Sequence, residues 1–405
     1  MLRTSTLALL FALGTLAMAQ GECGTGRYTD PAFFDSVVVQ PGILFGNNNG
    51  VAGTPQDLYL DVYMPAGDTL TDRPVVIVAF GGSFVAGTRQ DVAPICERFA
   101  RRGFVAVAPD YRVGFFFPSE ATTTRAVVRS MHDIKACVRF LRKSVDVDGD
   151  PYGIDPSRII VGGVSAGAIG AIHATYLDQS SEIPPVIYGD TASIGGIEGN
   201  SGSPGYSSAV LACYSFSGAI GDSAWIQPGD EPLVSVHEVG DGVVPYYTQM
   251  VSVLGIPTGL TASGSHDIHV RCVNSGLTNC LLTYPGNGHV GYLTSDPVTS
   301  FNYVADFLAA MACNSPVACT TGTVSVAEAE DVAALLAYPN PTAGTVVIES
   351  AVMQQGYLLA SDGRLVRALR LVPGPNPIDL GQLADGLYTL RTSQGASVRV
   401  VKASE

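Results

Sequence analysis

Between about residue 45 and residue 312, short apolar runs alternate with amphipathic stretches, and this alternation limits the possible folds more than any other feature. Residues 75–80 and 104–109 are continuously apolar, as expected of strands covered on both faces. Residues 58–64 alternate apolar with polar and predict a half-buried strand. Residues 91–102 place Val92, Ile95, Cys96 and Phe99 on one helical face and stop at Gly103. A second helix is predicted over 124–143 from the stripe Val127, Met131, Ile134, Val138 and Leu141. Then come a strand at 159–161, a helix at 166–177, strands at 209–216, 233–236 and 281–284, and a closing helix at 298–311. Strands separated by helices predict an α/β domain with a mostly parallel sheet and helices on both faces.

Beyond Cys319 the pattern changes. Residues 320–336 are small and acidic and are expected to be a linker. Residues 337–405 offer short β runs divided by Asn340-Pro341, Asp362-Gly363, Pro373-Gly374 and Asp385-Gly386, the signature of a small all-β sandwich. At the other end, Arg3, the apolar run 7–16 and Ala17-Met18-Ala19 predict a signal peptide over 1–19. That leaves residues 20–319 for the α/β domain. The leader's apolar run is too short to span a bilayer, and no later run reaches about 20 apolar residues, so no membrane span is expected.

The chain has 22 basic and 36 acidic residues, a net charge of −14. Such a surface repels nucleic acid and anionic membranes, so neither is an expected partner. Its eight cysteines suit an oxidising compartment. Short loops favour the bridges Cys272–Cys280 and Cys313–Cys319, while Cys137 fits a buried thiol as well as a bridge.

Chemistry is expected at Gly163-Val164-Ser165-Ala166-Gly167. Alone this pattern is weak, but here it follows a buried strand and opens a helix of small residues, Ala166, Ala168, Gly170 and Ala171. A nucleophile on a sharp strand-to-helix turn needs minimal neighbours two residues either side. Ser165 is therefore the candidate nucleophile. It needs a base, and the base needs an orienting acid. Asp241 lies beyond the strand at 233–236, where sites on parallel sheets gather. His289 follows the last strand in Pro285-Gly286-Asn287-Gly288-His289. Glu238 and Asp267 remain alternative acids, and His237 is expected to orient the Asp241 loop.

Phe80-Gly81-Gly82-Ser83-Phe84 follows the strand at 75–80, and the N–H groups of Gly82, Ser83 and Ala166 are the expected oxyanion hole. Phe80, Phe84 and Trp225 are candidate pocket residues, although Trp225 fits the core equally well. His132 and His173 fall on helices and are expected to be packed or surface residues. His266-Asp267-x-His269 lacks a third ligand, and 146–150 lacks the glycine and glutamate of a calcium loop. No metal and no cofactor are expected.

Taken together these residues resemble the α/β-hydrolase superfamily, and within it the carboxylesterases with a Gly-Gly oxyanion loop, a feruloyl-esterase-like group. Ala108-Pro109-Asp110-Tyr111-Arg112 and Gly153-Ile154-Asp155-Pro156-Ser157-Arg158-Ile159 are similar to that group too. Phe80 stands where histidine is common, and Ser83 replaces a third glycine. The segment from Asp241 to His289 is longer than usual, and the added length is expected around Cys272 and Cys280.

The tail, with Tyr338-Pro339-Asn340-Pro341-Thr342, Ser361-Asp362-Gly363, Leu383-Ala384-Asp385-Gly386-Leu387-Tyr388 and Val401-Lys402, is similar to the sorting domain of the type IX secretion system. The resemblances imply a monomeric serine esterase, secreted or held at the surface of a Gram-negative bacterium. Its expected partners are an ester substrate and the type IX secretion machinery. Its substrates would be acetylated or feruloylated plant polysaccharide, or polyester; a catalytically silent binding protein and a related peptidase are the alternatives.

Overall fold

A computed structural model describes residues 22–190, 194–319, 335–360, 365–392 and 397–404. The expected signal peptide and almost all of the expected linker lie outside the described residues. The chain divides into two compact units, Met1–Val324 and Ser325–Glu405.

The first unit is built on an eight-stranded sheet. Its elements are β1 (Val37–Asn49), β2 (Pro55–Pro65), β3 (Arg73–Ala79), α1 (Ala93–Ala100), β4 (Val105–Pro109), α2 (Glu120–Asp146), β5 (Ile154–Val164), α3 (Ala166–Tyr176) and β6 (Ala212–Phe216). They continue through β7 (Ala219–Ile220), β8 (Leu233–Glu238), β9 (Gln249–Val253), β10 (Ile256–Gly264), α4 (Ser265–Asn274), β11 (Asn279–Tyr284), α5 (Tyr292–Ser295) and α6 (Pro297–Ala312). The strand order is β1-β2-β4-β3-β5-β6-β8-β11. Pairing is antiparallel for β1/β2 and β2/β4 and parallel from β4 to β11.

The continuous apolar runs became β3 and β4 in the middle of the sheet, where every residue is buried, as is every residue of β6 and β8. Edge strand β1 is mostly exposed, and its lack of apolar alternation explains why it gave no signal. Helix α2 begins four residues before its expected start at residue 124, because Ser119 caps it: the Ser119 hydroxyl accepts the Thr122 N–H at 3.3 Å. The small residues of α3 let it lie close against α2. A Cβ on Gly170 would sit 2.6 Å from Ser130 Oγ and 3.0 Å from Ile134 Cδ1. Arg112, after β4, is tied to α2 through the buried Asp133 (Nη2–Oδ1 2.9 Å), which also accepts the Ser201 hydroxyl at 2.6 Å.

The cysteine pairing differs from the expectation. The bridges are Cys23–Cys313 and Cys280–Cys319, while Cys96, Cys137, Cys213 and Cys272 are buried free thiols. Short loop length did not decide the matter. Cys272 faces the core from α4, and β11 is the sheet edge against which the chain returns after α6. Cys272 and Cys280 lie on α4 and β11, which belong to the main α/β layers, whereas the hairpin β9–β10 forms a separate small sheet with β7.

The second unit is all β. One sheet has the order β12 (Leu336–Tyr338), β13 (Thr345–Ser350), β16 (Gly374–Asp379). The other runs β15 (Leu365–Leu371), β14 (Gln354–Ala360), β17 (Gly386–Thr392), β18 (Ser397–Lys402). Val346, Ile348 and Ile378 from one sheet share a core with Leu358, Leu390 and Val400 from the other. Several residues quoted for the tail's resemblance converge. Lys402 Nζ lies 3.1 Å from Asp385 Oδ1, and Asn340 Oδ1 accepts the Val401 N–H at 2.8 Å. Ser361-Asp362-Gly363 lies outside the described residues.

Candidate active site

Ser165 stands where β5 ends and α3 begins, with φ 54° and ψ −119°. An L-residue rarely adopts this conformation, and holding it costs about 1–3 kcal/mol. The neighbouring glycines are required by close approach. A Cβ at Gly163 would lie 2.3 Å from the Ala79 carbonyl oxygen, and one at Gly167 would lie 2.2 Å from the same atom. The Ser165 N–H donates to Phe216 O at 2.8 Å, and the Ile169 N–H donates to Ser165 O at 2.9 Å, so β6 and α3 both hold the turn.

His289 comes from the loop after β11. Its Nε2 lies 2.7 Å from Ser165 Oγ and its Nδ1 2.7 Å from Asp241 Oδ2. With Nδ1–H donating to the carboxylate, Nε2 is the nitrogen that accepts the serine hydroxyl proton. Asp241 Oδ1 accepts the N–H groups of Val243 at 2.8 Å and Val244 at 3.0 Å. His237 Nε2 lies 3.3 Å from Asp241 Oδ2, and its Nδ1 lies 2.8 Å from Ser265 Oγ. Burial of Asp241 would by itself raise its carboxyl. Hydrogen bonds from His237, His289 and the Val243 amide outweigh this and hold it well below the usual carboxylate range.

The alternative acids are placed differently. Asp267 is engaged by Thr248 and His266. Glu238 lies under the histidine loop, where a Cβ at Gly288 would come 2.6 Å from its Oε2. The glycines before His289 thus make room for a carboxylate that is not its hydrogen-bond partner. His132 and His173 are both buried, and burial lowers each to about 4. His173 Nδ1 donates to Ile169 O at 2.8 Å and its Nε2 accepts from the Gly221 N–H at 3.1 Å.

The loop after β3 runs directly against the serine: a Cβ on Gly81 would be 3.3 Å from the Ser165 Cβ. Gly82, Ser83 and Phe84 all have positive φ, at 127°, 54° and 60°. Among the described residues nothing accepts the N–H groups of Gly82 or Ser83. Ala166 opens α3, so no acceptor of its own helix reaches its N–H.

A cleft opens beside these groups, lined by Ser83, Phe84, Ser165 and Ala166 at one end and by Leu177 and Trp225 among others. Phe80 does not line it. Its ring is buried and stacks on Tyr111 with centroids 4.2 Å apart. Continuous burial of β3 carries that side chain into the core, and the chain turns toward the cleft only after it. The hairpin residues Val251, Val253 and Leu260 also line the cleft, and sequence reasoning missed them. The hairpin turns through Leu254 and Gly255, both with positive φ. Leucine at the first turn position hides a signal that asparagine or aspartate would have given. Among the described residues no group of three or more His, Cys, Asp or Glu could hold a metal ion, and no helix is long and apolar enough to cross a membrane.

The strand order and the serine turn define the first unit as an α/β-hydrolase fold. Residues 60–200 match the family model described as BD-FAE. Over 129 residues the chain is 30% identical to the non-reducing polyketide synthase pkbA of Emericella nidulans, a match covering 32% of this chain and 5% of that protein. Over 127 residues it is 27% identical to arylacetamide deacetylase-like 3 of Homo sapiens, covering 31% of this chain and 28% of that protein. It therefore spans only a small part of the length of these curated relatives. Among solved structures it is similar to Thermogutta terrifontis esterase 2. The propionate-bound form has a TM-score of 0.46 at 22% identity, covering 65% of this chain and 93% of that one. The apo form has a TM-score of 0.45 at 23% identity, covering 65% and 92%.

Proposed function

We propose that the protein is a serine carboxylic-ester hydrolase. The observation that carries this reading is the unbroken chain Ser165 Oγ–His289 Nε2–Asp241, with both links at 2.7 Å. The BD-FAE match supports it in general terms. Ser165 Oγ forms a bond to the ester carbonyl carbon while His289 Nε2 takes the hydroxyl proton. The resulting oxyanion lies toward the N–H groups of Gly82, Ser83 and Ala166. The carbon–alkoxy bond then breaks as His289 returns the proton to the leaving alcohol. Water, deprotonated by the same nitrogen, attacks the acyl-enzyme and releases the acid and free Ser165. Asp241 fixes the imidazole tautomer and stabilises its cation.

In this reading the enzyme is exported through its leader and, by the likeness of its second unit, through type IX secretion, and it meets esters outside the cell. Esters of extracellular plant polysaccharide and polyesters are the natural classes to test. The rival reading is a silent binding protein of the same fold. A fluorophosphonate probe separates the two. Labelling of the native chain, absent in Ser165→Ala at an unchanged melting temperature, supports the enzyme. An unlabelled native chain sinks it.

A further inference from the structure

We propose that the cleft is an acyl groove for an extended apolar chain, a reading that rests on the esterase function above and names its substrate class. Ala166, Ile169, His173 and Leu177 all line the cleft. Spacings of three and four residues put the first three on one face of α3, and Leu177 follows directly at its C-terminal end. At 1.5 Å per residue, that face extends about 16 Å from the serine. An acetyl group would occupy only its mouth. The facing wall is the hairpin β9–β10, through Val251, Val253 and Leu260. Along the α3 face the one ionisable side chain is His173, and its ring nitrogens are taken by Ile169 and Gly221. This face therefore offers methylene contacts to an aliphatic chain, and the unpaired hydroxyls that line the cleft, those of Thr123 and Thr124, come from α2.

The position of His289 says which arm of the ester enters. The leaving alcohol must lie at His289 Nε2 to receive its proton. The His289 side chain is 20% exposed, so the alcohol side opens to solvent. The groove starts instead at Ser83, Ser165 and Ala166. The substituent directed into it is the acyl chain. Each buried methylene should strengthen binding by about fourfold.

Trp225 lines the groove and is the only tryptophan in the chain, so its emission reports occupancy without any need for catalysis. In Ser165→Ala, methyl octanoate is expected to give a saturable change with at least about tenfold tighter binding than methyl butanoate. Ile169→Phe or, from the other wall, Val253→Phe should abolish that preference. Equal affinities for the two esters, or an octanoate preference untouched by both substitutions, would overturn the groove. With the native enzyme, faster turnover of octyl acetate than of methyl octanoate would overturn the acyl assignment. Chain-length-dependent binding without turnover of any ester would refute the esterase reading and leave the groove standing.

Discussion

Gly167 and Ala79 are in such close register that a Cβ on the glycine would lie 2.2 Å from the alanine carbonyl oxygen. The contact joins the first turn of α3 to the end of β3, and both segments are backbone there, so neither can swing aside. Gly167→Ala must displace the serine turn or the loop after β3. The expected outcome is a lowered melting temperature together with at least about a hundredfold loss of kcat/KM on a p-nitrophenyl ester. A variant with native turnover would show that the turn tolerates displacement.

Backbone and side chain contribute separately in the oxyanion loop. Ser83→Ala keeps the N–H and should hold activity within about threefold. Gly82→Ala places a Cβ 2.1 Å from the Ala86 carbonyl oxygen at a φ of 127°. It should therefore cost about two orders of magnitude or more in kcat. Steady-state kinetics with matched circular-dichroism spectra would check both, and a large loss in Ser83→Ala would move the function to its hydroxyl.

Asp241→Asn should lower kcat by about 10³–10⁴-fold while the protein still folds, since the imidazole loses the carboxylate that fixes its tautomer. The substitution also has a pH signature. A carboxyl held below its ordinary 3.8 contributes stability above that pH and loses it as pH falls through the lowered native value. The stability gap between native and variant chains should therefore be full at pH 7 and shrink only in strong acid, as read by urea melts.

His132 and His173 titrate in the opposite chemical sense but lose stability in the same direction. Each is near 6.5 when unfolded and about 4 when buried, so the unfolded chain takes up the protons first. Stability should be complete above pH 6.5 and decline between 6.5 and 4, by roughly 2–3 kcal/mol for each residue. Melts of native protein and His132→Gln across this window should show a shallower decline in the variant. An equal slope would place the proton uptake elsewhere.

What was legible in the sequence followed burial. The uninterrupted runs of β3 and β4 could only be central strands, and the serine, aspartate and histidine follow the ends of β5, β8 and β11 in an order readable along the chain. What was not legible depended on contacts with no local trace. Edge strand β1 is mostly exposed and has no alternation to detect. The hairpin that walls the cleft turns through an atypical leucine. Phe80 looked like a pocket residue because it adjoins the glycines, yet its ring belongs to the core with Tyr111. Cysteine partners were set by which chain ends meet in space, and proximity in sequence misled.

The Cys23–Cys313 bond has a topological consequence. It turns residues 23–313 into a covalent ring that contains Ser165, Asp241 and His289, with the β unit outside it. A protease that cuts one exposed loop within the ring opens it without releasing a fragment, so all three side chains stay on one molecule until a thiol reductant arrives. The ring can close only once Cys313 has been delivered beside Cys23, after the whole hydrolase unit has been made.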